Sequence, residues 1–189
     1  GTDTLLDTNG DGVPDIDSLF PDDTARILVK ITPPSDALYG DTDTTIITGT
    51  LAHDPAVRDH ATLITTVERV VLVNIEPSSS DSTQPGETVR YYLWVRNEGN
   101  SSDCIDITAK GKWDINIFDP TGEDTLADTD GDGVQDVGDV SPYESEGLFV
   151  DITPYPHALL GEIDTAVVYA RSSIDTSVSD SVSLITRVY

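Results

Sequence analysis

The chain has 189 residues, a formal net charge of −25 and a hydrophobic share of 37%, room for one large domain or two small ones. The charge argues against nucleic acid or an anionic membrane surface as partner, because either would repel it. No stretch approaches the roughly 20 apolar residues of a membrane span, no signal peptide opens the chain, and the lack of any Met suggests a processed or trimmed fragment. Acidity with few aromatics is also a mark of disorder, but here the acids cluster in loops while Val, Ile and Leu alternate between them, the pattern of a folded chain.

The first element in chain order is a loop, DTNGDGVPD (7–15). Asp7, Asn9, Asp11 and Asp15 occupy positions 1, 3, 5 and 9 of a calcium-type loop, Gly12 sits at 6, and Val13 offers its carbonyl at 7. Calcium takes six to eight oxygens, and alternate carboxylates on a tightly turned loop supply them. Position 12 is Ser18; Asp17, one residue early, is its candidate substitute.

Strands are expected at Ile27–Thr32 and Thr44–Leu51, where β-branched residues run continuously or alternate. His53-Asp54 and Asp59-His60 flank the loop that follows, a setting for a surface salt link rather than a metal or acid–base site. His157 is equally isolated. From Ala61 to Ile75 the chain contains no Gly, Pro or Ser. A flexible linker would be rich in them, so one strand is expected to run straight into the next and hold consecutive units at a fixed angle. The competing reading is a single long strand inside one domain.

Further strands are expected at Thr88–Arg96, Cys104–Thr108, Trp113–Phe118, Leu148–Thr153, Thr165–Arg171 and Ser181–Val188, with turns at Pro77–Ser80, Gln84-Pro85-Gly86, Asn97–Ser101, Pro120–Gly122 and Thr153–Pro156. Within Thr88–Arg96, Val89, Tyr91, Leu93 and Val95 share one face and belong to a core. Tyr92 and Trp94 point the other way, as an interface patch, a sugar platform, or rings packed by a neighbouring strand. Asn100-Ser101-Ser102 is a glycosylation sequon in a turn. Cys104 is the only cysteine; it reads as a small strand residue, with an intermolecular bridge as the alternative.

The segment PGETVRYYLWVRNEGNSSDCIDI (85–107) resembles a stretch found in immunoglobulin-like repeat domains of secreted and cell-surface proteins of bacteria and archaea. That resemblance implies an all-β immunoglobulin-like sandwich at an extracellular or cell-surface location, and is nearly silent about activity.

A second acidic loop, DTDGDGVQD (128–136), carries Asp128, Asp130, Asp132, Asp136 and Asp139 at positions 1, 3, 5, 9 and 12, with Val134 at 7. Both loops are similar to the calcium loops of thrombospondin type 3 repeats and dockerins. Position 12 is not Glu and no flanking helices are expected, so a structural calcium ion, not a calcium switch, is the reading at each loop.

Laying residue 1 over residue 122, an offset of 121, matches the chain without a gap to its last residue, at roughly 40% identity, a repeat rather than two chance loops. The expected domains are a complete repeat over 69–189 and the C-terminal half of one over 1–68, completed by upstream chain or by a neighbouring subunit through strand complementation. The functional expectation is a non-enzymatic structural subunit of an extracellular filament or surface stalk, calcium-stiffened and joined head to tail to copies of itself. The alternative is a carbohydrate-binding or spacer module of a secreted enzyme or adhesin. No catalytic constellation such as a G-x-S-x-G elbow appears.

Overall fold

The computed structural model describes residues 4–16 and 18–189. The described chain is all-β: it contains no helix, and so none long and apolar enough to cross a membrane. It divides into two compact units, Gly1–Pro33 and Pro34–Tyr189. The expected boundary at 68/69 therefore lies inside the second unit.

The first unit is loop and extended chain. Among its described residues one bridge, Leu6 opposite Asp15, closes the first acidic loop. The strand expected at Ile27–Thr32 is absent. Its counterpart 121 residues on lies in a strand that is paired on both sides, whereas no described residue pairs with 27–32, and a lone strand leaves its backbone hydrogen bonds unmade.

The second unit holds eleven strands: β1 Thr42–Leu51, β2 Asp54–Thr66, β3 Val73–Glu76, β4 Ser79–Thr83, β5 Val89–Asn97, β6 Asp103–Lys110, β7 Asp114–Phe118, β8 Asp136–Val140, β9 Ser145–Thr153, β10 Ile163–Ser172 and β11 Ser179–Val188. β1 and β2 form an antiparallel hairpin by themselves; the rest build a sandwich of two sheets, ordered β3-β5-β9-β7 and β4-β11-β10-β6-β8. The first strand crosses between the sheets at the cis Glu76–Pro77 bond, so that β3 lines β5 antiparallel and β4 lines β11 parallel. An opening strand shared between sheets, with the last hairpin beside it, is the arrangement of an immunoglobulin-like sandwich.

Alternation explains the core. In β5, Val89, Tyr91, Leu93 and Val95 are buried while Arg90, Tyr92, Trp94 and Arg96 are exposed. Leu148, Val150 and Ile152 of β9 continue that inner face, and Ala166, Val168, Val182 and Leu184 oppose it from the other sheet. Interdigitated inner faces of this kind form the layer that holds a sandwich together. Tyr91 ties the layers: its buried hydroxyl donates to the Ile185 carbonyl (3.0 Å) and meets Thr186 Oγ1 (2.8 Å). The Gln84–Glu87 turn before β5 needs a positive φ at its third residue, and Gly86 supplies it (φ 80°).

Two strands were not expected. β4 carries only Ser, Asp and Thr, no apolar alternation at all, and is held at the sheet edge mainly by its backbone pairing with β11, with the Thr83 hydroxyl donating to the Glu87 carbonyl (3.1 Å). β8 occupies residues read above as the end of the second acidic loop. The uninterrupted run at Ala61–Ile75 is not one strand either: β2 ends at Thr66 and β3 starts at Val73.

Asn100 organises that break. Its Oδ1 accepts the Val70 N–H (2.8 Å), its Nδ2 donates to the Glu68 carbonyl (2.9 Å), and its backbone carbonyl accepts the Tyr39 N–H (2.9 Å). Gly99 lies so close that a Cβ there would stand 2.5 Å from the Val70 oxygen. The sequon asparagine is thus 5% exposed, and a glycan on Nδ2 would have to push aside the chain packed around it.

Candidate metal centre

Each acidic loop is closed by the same small set of bonds. At the second, the Asp136 N–H donates to the Ala127 carbonyl (2.8 Å), and Thr129 donates to Asp136 through both its N–H (2.6 Å) and its hydroxyl (2.5 Å). Inside it, Asp128 accepts the amides of Gly131 and Gly133, Asp130 that of Asp132, and Asp132 that of Val134. The first loop repeats this bond for bond. Asp15 donates to Leu6 and accepts from Thr8, Asp7 accepts from Gly10 and Gly12, Asn9 from Asp11, and Asp11 from Val13. Both turn at paired left-handed glycines, Gly10 and Gly12 (φ 78° and 88°) and Gly131 and Gly133 (83° and 95°), a conformation costly for any residue with a Cβ.

The carboxylates then converge. Oxygens of Asp128, Asp130 and Asp136 lie within 4.8 Å of one another, and so do those of Asp106, Asp130 and Asp132. Asp130 belongs to both groups, so five carboxylates gather at this loop. Hard oxygen donors in this number suit calcium, not zinc or a soft metal. The remaining capacity also fits. A carboxylate offers about four acceptor sites; Asp136 uses three, on Thr129 twice and on Gly138 once (2.7 Å), while Asp128 uses two.

Burial alone pushes the Asp136 carboxyl up, but the Thr129 hydroxyl, the Thr129 amide and the Gly138 amide outweigh it and hold the group below the usual carboxylate range. It is therefore ionised and ready for a cation.

Asp106 is the residue that sequence reasoning missed. It sits on β6 between Ile105 and Ile107, all three buried. Three consecutive buried residues mean that both faces of the strand are covered there, and the outer face is covered by the acidic loop. Its charge is met by Arg171 (2.7 Å) and by the Ser173 hydroxyl (3.2 Å). The one available signal was a charge inside an apolar strand, CIDI.

Asp139, expected at position 12, is in neither converging group. It lies on β8 opposite Cys104 and is exposed. Pairing with β6 begins at Asp136 and carries the chain away from the loop before position 12 is reached.

At the first loop, among the described residues, no three acidic side chains converge in this way. Position 3 there is the neutral Asn9, and Ser18 is exposed. Asp17, the candidate substitute, lies outside the described residues. Val13 is exposed and Val134 half-buried.

The other candidate positions are dispersed. Tyr92 packs edge-on against Trp94 (5.1 Å, 83°) and tilts onto Phe149 (4.7 Å), so the two rings do not make one flat platform. Arg90 beside them is locked to Asp151 (2.7 Å). His157 stacks on Tyr155 (5.6 Å), and the His60 N–H donates to Asp59 (2.8 Å). A groove of about 430 Å³ opens between β6 and β7; its walls, including Ile107, Ile115, Ile117 and Val134, carry no titratable side chain and so no acid–base chemistry.

No protein-family model matches the chain, and no curated protein is similar to it. Among solved structures, it is similar to an ASH/PapD-like domain of human CEP192 (TM-score 0.39, 15% identity, covering 62% of this chain and 84% of that one). It is likewise similar to the E. coli chaperone DraB (0.37, 9%, 62% and 55%), and to a protein of unknown function from Porphyromonas gingivalis (0.41, 8%, 82% and 69%). These likenesses are too slight to say what the chain does; the fold assignment rests on its own strand topology.

Proposed function

We propose that the chain is a structural subunit of an extracellular filament or cell-surface stalk, built from immunoglobulin-like units in tandem and stiffened by calcium. The observation that carries the reading is the duplication of geometry at the 121-residue offset. The two acidic loops share their hydrogen bonds, and hairpin β1–β2 shares its register with hairpin β10–β11: Thr42 faces Thr66 as Ile163 faces Arg187, and so on through Thr50 and Arg58 against Arg171 and Ser179. Even the approach is duplicated, since Gly40 donates to Val67 and Val67 to Asp41 as Gly161 donates to Val188 and Val188 to Glu162. Two stretches of one chain that fold alike are units of an array.

In this reading Asp128, Asp130, Asp132, Asp136 and Asp106 hold one calcium ion, and Asp7, Asn9, Asp11 and Asp15 hold a second, weaker one. Bound calcium would neutralise carboxylates that otherwise repel one another. At the second loop, ligands from both the loop and β6 would staple the crossover between β7 and β8 to the opposite sheet. A non-enzymatic, calcium-stapled unit suits a load-bearing role outside the cell, where free calcium is plentiful. The partners are further units of the same kind.

Two measurements test it. Excess EDTA is expected to lower Tm and to open both loops to protease; an unchanged melt overturns the calcium staple. Negative-stain microscopy of calcium-loaded protein is expected to show periodic filaments that fray on chelation. Dispersed monomers retained on polysaccharide would instead support the carbohydrate-binding alternative.

A further inference from the structure

We infer that the exposed face of hairpin β1–β2 is an acceptor for a strand segment of the kind seen in residues 69–121, but one that lacks the acids found here at Asp103 and Asp106. This rests on the repeat reading above and adds the chemistry of the partner.

No described residue of 4–68 is buried. β1–β2 is nevertheless a regular ladder whose Ile47 and Leu63 are only half-buried where their equivalents Val168 and Leu184 are fully buried, and hairpin β10–β11 shows what such a ladder is built to receive. There β6 runs antiparallel along β10, from Lys110 opposite Val167 to Ile105 opposite Ser172, and β4 runs parallel along β11, from Ser79 opposite Leu184 to Thr83 opposite Val188. Subtracting 121 places an incoming antiparallel strand along Ile46–Leu51 and a parallel one along Leu63–Val67. Both are free edges, open to added strands.

Side chains argue the identity of the occupant. In the complete sandwich, Asp164 accepts the amides of Lys112 and Trp113 (2.9 and 3.3 Å). Asp180 accepts the Ile75 amide (3.0 Å), Thr186 bonds the Tyr91 hydroxyl, and Glu162 pairs with Lys112. The hairpin keeps all four functions, as Asp43, Asp59, Thr65 and Asp41. Three further groups are changed, and they are adjacent: Arg171, Ser172 and Ser173 become Thr50, Leu51 and Ala52. In the complete sandwich the side chain of each of the three donates to Asp103 or Asp106.

The receptors for backbone amides, tyrosine and lysine are therefore kept, and the receptors for two carboxylates are gone. A second copy of this chain's own 69–121 would bury Asp103 without its serine hydroxyl and Asp106 without its arginine and serine, which is unfavourable. A segment with neutral residues at those two places fits.

The test uses the full chain in calcium. One form carries, through a flexible linker before Gly1, an added 69–121 segment with Asp103→Val and Asp106→Thr; a matched form carries the unaltered segment. Amide exchange is read at 42–66, with 163–188 reporting that the resident sandwich is intact. In the unfused chain, 42–66 is expected to exchange at least about 100-fold faster than 163–188. The neutral segment is expected to slow 42–66 about 100-fold, and at least about tenfold more than the acidic one. Adding Asp59→Ala to the neutral fusion is expected to remove about tenfold of that gain.

Native-like protection of 42–66 in the dilute unfused chain overturns the inference, as does no slowing by the neutral segment, or full gain despite Asp59→Ala. Equal protection by the acidic segment, or protection of the unfused chain that grows with concentration, makes the occupant a second copy and also overturns it. Filaments that fray on chelation while 42–66 stays unprotected would sink this inference and leave the structural role standing. Protection without filaments would do the reverse.

Discussion

Asp130 is the one carboxylate common to both converging groups at the second loop, so its charge matters most to any bound cation. Asp130→Asn is expected to weaken calcium binding by about tenfold or more, whereas Asp139→Asn, outside both groups, is expected to change it by less than about threefold. Calorimetric titration of the two variants checks this, and equal losses would return Asp139 to the ligand set. Asn100 makes a different kind of residue-scale claim. Asn100→Ala leaves the Val70 N–H and the Glu68 carbonyl without their partner, an expected loss on the order of 2 kcal/mol in a urea melt. Cys104 should be inert. Burial first of all pushes its thiol up to about 12, so in calcium-free protein at pH 8 it carries about 1,000-fold less thiolate than an ordinary cysteine. Labelling by a disulfide reagent should be slowed accordingly; fast labelling would reopen the intermolecular bridge.

At the scale of elements, the contrast lies between two hairpins of the same register. In the sandwich, Leu184 on β11 and Leu93 on β5 are fully buried in opposing sheets, and truncating either to Ala is expected to cost about 3–4 kcal/mol. Leu63, at the position equivalent to Leu184, is only half-buried, and Leu63→Ala is expected to cost less than about half as much. An effect at Leu63 as large as at Leu184 would mean that its face is covered in solution. The two hairpins differ not in local pattern but in neighbours: β10–β11 has β4 and β6 alongside, and β1–β2 has neither. Hydrophobic stabilisation follows the area removed from water, so hairpins of the same register in unequal surroundings acquire unequal stability.

For the whole molecule, the net charge of −25 acts on every folded part at once. Self-repulsion destabilises a compact state and is screened by salt. In EDTA, raising sodium chloride from about 0.01 to 0.3 M, which shortens the screening length from about 30 Å to under 8 Å, is expected to raise Tm by several degrees. In saturating calcium the same change should have a smaller effect, because the densest carboxylate cluster is already neutralised. A salt response that is the same with and without calcium would argue that the loops bind no cation.

Much of this was legible in the chain itself. Period-2 alternation assigned the faces of β5, because a pleated strand sends successive side chains to opposite sides. The acidic loops could be read because glycine and Asx turns act over a few residues, with no help from the rest of the fold. The 121-residue offset was equally plain. Tertiary structure decided the rest. β4 forms without an apolar pattern because β11 offers it an edge, while Ile27–Thr32, apolar and β-branched, forms no strand because it has no neighbour. Asp106 joins a loop 22 residues away, and Asp139, inside the loop motif, is drawn out of it by pairing with β6. Pattern reports what each segment prefers; pairing and burial depend on which partners the fold brings within reach, and no local window contains them.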